Sequence, residues 1–340
     1  MKKQLFIILI IILFGNNFQT SAARLLYKSK SDTNYYESHK KMLAIKFLGV
    51  SKVASFSIFD NQNSSKLLYQ PNEALNIGLG FNYKWFGLDL AFNIPGFNND
   101  NAKYGKTKKT DIQTHIYTRK IIIDANLQHY KGFYIKNPKD IINNWQSDQA
   151  YPQRSDIETV SIGCNLTYSF NNKKFSYKSA FIQNERQKKS AGSFLLGAFV
   201  SAFAIGADHD IIPYYSIKTF NENLHLVSAS SFSLGISVGY IYTFVIRKNY
   251  FVTLSLVPGF ALGGYSGTTV LNKTIFNPVK VDGKTLARVS IGYNSKKYYY
   301  GFLFVNDNYT SSNQEKNIGV NYGANIFKFY IGRKFSIKKR

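Results

Sequence analysis

Between residues 159 and 170 the chain alternates without a break. Val160, Ile162, Cys164, Leu166, Tyr168 and Phe170 hold the even positions, and Thr159, Ser161, Gly163, Asn165, Thr167 and Ser169 the odd ones. Successive side chains on a pleated strand point to opposite sides, so a strict period of two marks a strand with one apolar and one polar face. Residues 231–244 repeat the pattern with only Ile241 out of phase. The same alternation runs through Leu75, Ile77, Leu79, Phe81 and Tyr83, through Leu88, Leu90, Phe92 and Ile94, through Val252, Leu254 and Leu256, and through Ile318, Val320, Tyr322 and Ala324. Beyond residue 23 the longest apolar run, Phe194 to Ala207, is 14 residues, short of the ~20 that a spanning helix needs. If this chain crosses a membrane, it crosses as strands.

Soluble sandwiches and membrane barrels both alternate, and three details favour the barrel. The polar face is small and mostly uncharged (Ser, Gly, Thr, Asn), where a solvent-facing sandwich carries Lys, Glu or Arg. Aromatic residues gather at strand ends, Tyr83 with Trp85, Tyr168 with Phe170, Tyr240 with Tyr242, as in interfacial girdles. Several strands run to ten or more residues, beyond the usual ~5–6 and enough for a tilted crossing. The expectation is an all-β, transmembrane, antiparallel up-and-down β-barrel of about 12–14 strands, with a soluble secreted β-sandwich as the alternative. Ser161, Gly163, Asn165, Ser233, Gly235 and Ser237 become lumen-facing candidates. Tyr83, Trp85, Tyr168, Phe170, Tyr240 and Tyr242 become the interfacial aromatics.

Short polar breaks at Tyr83–Phe86, Asn171–Lys174, Arg247–Asn249 and Asn294–Lys297 predict hairpin turns. Longer segments at about 60–73, 95–108, 136–156, 208–230 and 264–284 predict loops. Short and long connections alternate to about residue 175 and then slip, which points to a missed strand near 211–220 or a split one near 317–335. Upstream, Met1–Ala23 has the form of a cleaved secretory signal: a Lys2-Lys3 head, an apolar Leu5–Phe14 run and a small-residue end, Ser21-Ala22-Ala23. Removing 23 of the 340 residues leaves 317 with a single cysteine, Cys164, and so no internal disulfide. Residues 24–41 then form a short periplasmic segment and 42–340 one barrel domain.

The formal charge is +24, with Lys and Arg concentrated in loops, turns and tail, as at Lys106, Lys108, Lys109 and Lys338-Lys339-Arg340. A cationic rim suits the phosphates of lipopolysaccharide, while a coding bias toward Lys, Asn, Ile, Tyr and Phe accounts for the same charge without a function. No nucleic-acid motif is present. Five histidines, His39, His115, His129, His209 and His225, are the candidates for catalysis. His115 shares the polar phase of Asp111 and Gln113, and His129 the apolar phase of Ile121, Ile123 and Leu127. Asp208-His209-Asp210 is the sharpest cluster, yet adjacent residues on a strand face opposite ways and do not form a triad. With no G-x-S-x-G elbow, zinc spacing or phosphate loop, no catalytic residue, metal ligand or cofactor is assigned. A lipid-modifying enzyme would require His115 or His209 within hydrogen-bond reach of a Ser or Asp at one rim. A channel would require a continuous polar lumen. The Ile135–Ser155 segment, with Pro138, Trp145 and Pro152, predicts a long outer loop.

Five pieces spread from end to end carry a resemblance: Asp32-Thr33-Asn34-Tyr35-Tyr36, the run Gly78 to Trp85, Tyr130-Lys131-Gly132-Phe133-Tyr134, Ala191-Gly192-Ser193-Phe194-Leu195, and Gly332-Arg333-Lys334-Phe335. In that order they resemble an uncharacterised family of bacterial outer-membrane barrels catalogued as domain of unknown function 4421. The resemblance implies a barrel in the outer membrane and no particular activity, so the expected role is a narrow channel or a structural, surface-contact protein. The partners it implies are outer-membrane lipids, lipopolysaccharide among them, and the barrel-assembly machinery. Phe335 resembles the terminal aromatic which that machinery recognises, although Ser336 to Arg340 follow it.

Overall fold

The alternating segments form strands whose apolar face points away from the molecule. The computed structural model describes residues 32–39, 41–73, 75–83, 86–93, 100–216, 218–313 and 318–336. The Met1–Ala23 signal, Trp85, Ile94 and Lys338–Arg340 lie outside the described residues. Phe232, Leu234, Ile236 and Val238 are each more than half exposed, while Ser231, Ser233 and Ser237 between them are buried. Water does not tolerate so continuous an apolar belt, and hydrocarbon does. The chain is a transmembrane barrel, not a soluble sandwich.

In chain order the elements are β1 (Tyr36–Ser38), β2 (Met42–Asp60), β3 (Ser65–Gln70), β4 (Asn76–Tyr83), β5 (Phe86–Asn93), α1 (Asn101–Tyr104), β6 (Lys108–Tyr117), β7 (Ile121–Ile135), β8 (Gln153–Ser169), α2 (Tyr177–Phe181), β9 (Glu185–Gln187), β10 (Ala191–Gly206), β11 (Leu226–Ile246), β12 (Tyr250–Thr269), β13 (Thr274–Asn294), β14 (Tyr298–Asn313) and β15 (Ile318–Ser336). One antiparallel sheet holds 13 of the strands, within the expected 12–14. It closes where β15 pairs with β2, from Ile318 opposite Asp60 to Ser336 opposite Met42. The closed ring runs through ten of them: β2, β3, β7, β8 and β10 to β15.

The ring forks at β2. Phe56–Asp60 pair with β3, whose Tyr69 and Gln70 reach β7. Ala44–Val50 pair instead with β4, which carries β5, while β7 carries β6. Among the described residues β5 and β6 are not hydrogen-bonded to each other.

Several connections differ from the sequence expectation. Residues 60–73 and 264–284 are not loops. The first contains a four-residue turn and β3, and the second is the tight turn between two long strands, β12 and β13. Residues 211–220 are loop, and β15 is one unbroken strand. Asn171–Lys174 is not a hairpin turn. It opens a segment running to Ser190 that contains α2 and β9 and folds into the lumen. Polar Asn and Lys residues look alike at a hairpin and at the start of an insertion, and the apolar anchors follow only at Phe175, Tyr177 and Phe181.

The apolar set also changes sides. On β15 the odd residues Phe327, Phe329 and Ile331 are exposed, whereas farther toward the other end the even residues Val320, Tyr322 and Ala324 are buried. β2 does the same, from outward Ile45 and Phe47 to buried Phe56 and Ile58. The pairing of these two strands is continuous, so the chemistry of the faces has changed and not the register. Ile318, Val320, Tyr322 and Ala324, expected on the lipid face by their alternation, therefore line an internal core. Toward the end that holds both Met42 and Ser336 (the terminal end) the wall faces hydrocarbon. Toward the loop end it encloses an apolar cap core of Phe56, Tyr69, Phe133, Phe203, Ile211 and Tyr322, among others.

At the terminal end the 171–190 insertion is a plug. Ser176 caps α2 by accepting from the Ser179 amide at 3.1 Å. Ser290 Oγ donates to the Ala180 carbonyl at 2.8 Å, and Asn294 Nδ2 to the Glu185 carbonyl at 2.9 Å. β9 pairs with β1, tying the N-terminal segment to the plug. Beside this pair His39 Nδ1 accepts from Lys334 Nζ at 3.1 Å while Nε2 lies 2.7 Å from Glu37. Burial and the Lys334 charge lower the proton affinity of His39 below its ordinary 6.5, with Arg186 adding to the effect. Burial alone would raise Glu37, but the hydrogen bond from His39 and the charges of Arg186 and Lys188 bring it below its usual 4.5. Both groups bind protons more weakly when docked, so docking strengthens as pH rises and is lost as pH falls. We expect amide exchange at Tyr36–Ser38, corrected for intrinsic rate, to accelerate as pH drops below 6.5, and the His39→Gln variant to lose the upper part of that profile. A flat wild-type profile would contradict the assignment.

Candidate functional site

Between the plug and the cap core lies a cavity of about 620 Å3. Its wall is chemically two-sided. β8 and β10 contribute mainly small, hydroxyl or apolar residues to it, whereas β2, β5, β6, β7, β13, β14 and β15 bring Lys, Arg and Asp side chains inward. A charge inside a barrel wall is tolerated best beside a counter-charge, and most inward charges are paired accordingly, Lys334 being held instead by His39, Asn294 and Ser295.

Arg288 on β13 lies 2.6 Å from Asp124 on β7, and the Tyr117 hydroxyl donates to the same carboxylate at 2.6 Å. Four strands, β8, β10, β11 and β12, separate β7 from β13 along that side of the ring, so the pair spans the lumen. One layer toward the loop end, Lys284 donates to Asn165 on β8 and to the Tyr309 hydroxyl at 2.6 Å, and pairs with Asp307 at 3.2 Å. Lys52 pairs with Asp111, which also accepts from Tyr130 at 2.5 Å and Gln128 at 3.1 Å. Lys46 and Lys328 share Asp89, at 2.9 and 2.8 Å. Gly80 on β4 makes that arrangement possible: a Cβ there would stand 2.3 Å from Asp89 Oδ1 and 2.5 Å from Lys46 Cε.

The lumen-facing candidates lie on the inward face. Ser161, Gly163 and Asn165 line the cavity, and Ser161 donates to Gln128 at 2.9 Å. Ser233 is 1% exposed and donates to Asp282. Ser237 is buried, and Gly235 leaves space for Phe199, whose ring a Cβ would meet at 2.7 Å. Tyr168, Phe170, Tyr240 and Tyr242 lie on the outward face toward the terminal end, with Tyr168 and Phe170 packed edge to face at 5.1 Å. Tyr83 is half-buried at the end of β4.

Sequence reasoning missed the charged half of the lumen. The signal is present in Lys280, Asp282, Lys284, Arg288 and Ser290, all at even positions of β13, but the loop that the sequence predicts at 264–284 covers part of that stretch. The histidines do not converge. Among the described residues neither His115 nor His209 hydrogen-bonds a Ser or Asp; His115 lies on β6 facing the cavity, and His209 is exposed in the loop after β10. His129 points outward, 2.6 Å from Glu158, and His225 pairs with Asp210 at 2.6 Å in the loop that caps the barrel. Asp210 there also accepts the Ile212 amide at 3.0 Å, a turn-forming role. Among the described residues no three His, Cys, Asp or Glu side chains converge as a metal would require.

Asp124→Ala should leave Arg288 buried without its carboxylate and destabilise the barrel by about 3–5 kcal/mol. The double variant with Arg288→Met should recover much of that loss. Both are read from urea unfolding in detergent micelles; an Asp124→Ala barrel as stable as wild type would mean that the pair is solvated.

No curated protein matches the chain. Among solved structures it is similar to the outer membrane protease OmpT of Escherichia coli, at 9% identity and a TM-score of 0.36, covering 88% of this chain and 97% of that one. It is similar to the toluene transporter TodX of P. putida at 6% identity and 0.28, covering 88% and 91%. The outer membrane protein OprG of Pseudomonas aeruginosa follows at 11% and 0.24, covering 88% and 99%. At these identities nothing about activity carries over. Residues 30–335 match the model of a domain of unknown function, DUF4421, and the chain belongs to that family.

Proposed function

We propose that this chain is a bacterial outer-membrane barrel, exported by a cleaved signal peptide, that holds a small polar-headed ligand in a closed lumen instead of conducting solutes along an open one. The observation that supports this best is the filling of both ends. The plug packs Phe175, Tyr177 and Phe181 against inward residues of the wall, and the loop after β10 packs Ile211, Ile212 and Phe220 into the cap core. The intervening 620 Å3 is within the range of about 300–1,000 Å3 of ligand sites. Its fixed Lys, Arg and Asp side chains supply the few placed polar groups that orient a ligand. The outer wall suits lipid partners, lipopolysaccharide included: outward His129, Lys131 and Glu158 stand near the border of the apolar belt, where headgroup phosphates begin. Phe335, outward near the end of β15, remains the candidate signal for the assembly machinery.

Planar-bilayer recording tests the reading. The refolded wild-type barrel should be electrically silent, and so should a variant in which a short Gly-Ser turn replaces Asn172–Lys189 alone, because the cap core still fills the loop end; shortening the loop after β10 as well should let it conduct. Steady unitary currents through the wild-type protein would overturn it.

A further inference from the structure

The edges of β5 and β6 both border the cavity, at a place where the described wall is not laddered. Both strands carry outward apolar residues, Leu88, Leu90 and Phe92 on one, Ile112 and Ile116 on the other, all exposed. The seam therefore lies within the apolar belt, where water is absent and backbone amides and carbonyls have no partner of their own. The cavity reaches it: its lining includes inward Asp89, Ala91 and His115 together with outward Leu88 and Thr114. Inward residues on other strands are mostly buried, but Gln113 and His115 are exposed.

Charge is left over at the same place. Lys52, Lys284 and Arg288 each have their own carboxylate, in Asp111, Asp307 and Asp124, and Lys109 has Glu73. Lys46 and Lys328 have only Asp89 between them. Two ammonium groups on one carboxylate leave one positive charge beside the seam, in a low-dielectric wall that favours its neutralisation.

We propose that the β5–β6 seam is a lateral port through which a monoanionic amphiphile enters from the bilayer, setting its head against Lys328 and Lys46 and leaving its hydrocarbon chain between the strand edges. The head brings the missing charge, and its oxygens accept from the lysines already in place. The chain lies among Leu88, Leu90 and Ile116. The port is in the half of the wall nearer the plug, so it draws from the leaflet at the terminal end. This rests on the closed-lumen reading.

The probe is a stearate spin-labelled near its carboxylate, added to proteoliposomes, with its methyl ester as the neutral control. Electron paramagnetic resonance separates immobilised from mobile label. Wild-type protein should immobilise the acid more strongly than the ester, and Lys328→Gln, which leaves Lys46 and Asp89 neutral as a pair, should weaken the acid by on the order of tenfold, the loss of one charge-assisted contact. The ester should be unaffected. Equal immobilisation of acid and ester, or an unchanged Lys328→Gln, overturns the head assignment.

The port is tested separately in a Cys164→Ser background. Leu88→Cys and Thr114→Cys, joined by a reducible bis-thiol reagent, should slow loading about tenfold or more, and reduction should restore it in the same sample. Unchanged loading across the bridged seam overturns the port while leaving the cavity and its closed lumen untouched. Wild-type conductance in the bilayer experiment, by contrast, would remove the closed lumen itself.

Discussion

In hydrocarbon a peptide group has no partner but another peptide group, and the rest of this molecule follows from how the β-ladder meets that demand. Continuous pairing from β15 to β2 closes the ring. The fork in β2 then gives the two ends different circumferences. At the loop end β3 alone bridges β2 to β7, for ten strands. At the terminal end β4, β5 and β6 take its place, for twelve. Barrel diameter grows with strand number, so the wall is wider where it surrounds the plug and narrower where it surrounds the cap core. Extra strands that begin inside a wall must begin with an edge, and the β5–β6 seam is that edge.

The lumen is governed by a second constraint of the same kind. Burying a lone charge costs far more than a pair returns, so most inward cations are drawn to a carboxylate, on another strand for Lys46, Lys52, Lys284, Lys328 and Arg288 and on the same strand for Lys280. Arg288 with Asp124 and Lys284 with Asn165 join opposite walls. Such pairs favour one separation of the walls and reward a filled interior, because displaced water strengthens them. The plug adds to this from below: Tyr177 and Phe181 place their rings 5.7 and 5.6 Å from the Arg288 guanidinium. A single arginine thus links β13, β7 and α2, and ties the wall to what fills it.

The fold class was legible because its signal is local. Period two over residues 159–170 and 231–244 is set by the pleat and needs no knowledge of partners. The placement of Ser161, Asn165 and Ser233 on the inward face follows from the same parity. Three things were not legible, each for a physical reason. β15 alternates throughout, but its apolar residues move from odd to even positions as the wall passes from membrane to cap, and parity alone does not say which side hydrocarbon is on. The plug begins with Asn171-Asn172-Lys173-Lys174, residues that favour a turn wherever they occur. The fork depends on β3 pairing with β7 across some 65 intervening residues, a non-local contact without a sequence period.

The two constraints meet at Asp89. β5 exists because the terminal end needs more strands than the loop end, and its inward Asp89 receives Lys46 over Gly80, a residue with no side chain to stand between them. Had β5 a hydrogen-bonded neighbour on its other side, a second carboxylate could be placed there for Lys328 as pairing strands do elsewhere in the lumen. The nearest described strand instead presents His115, which is no counter-ion. Among the described residues the unladdered edge and the carboxylate that serves two lysines therefore have one origin, the point at which the wall widens.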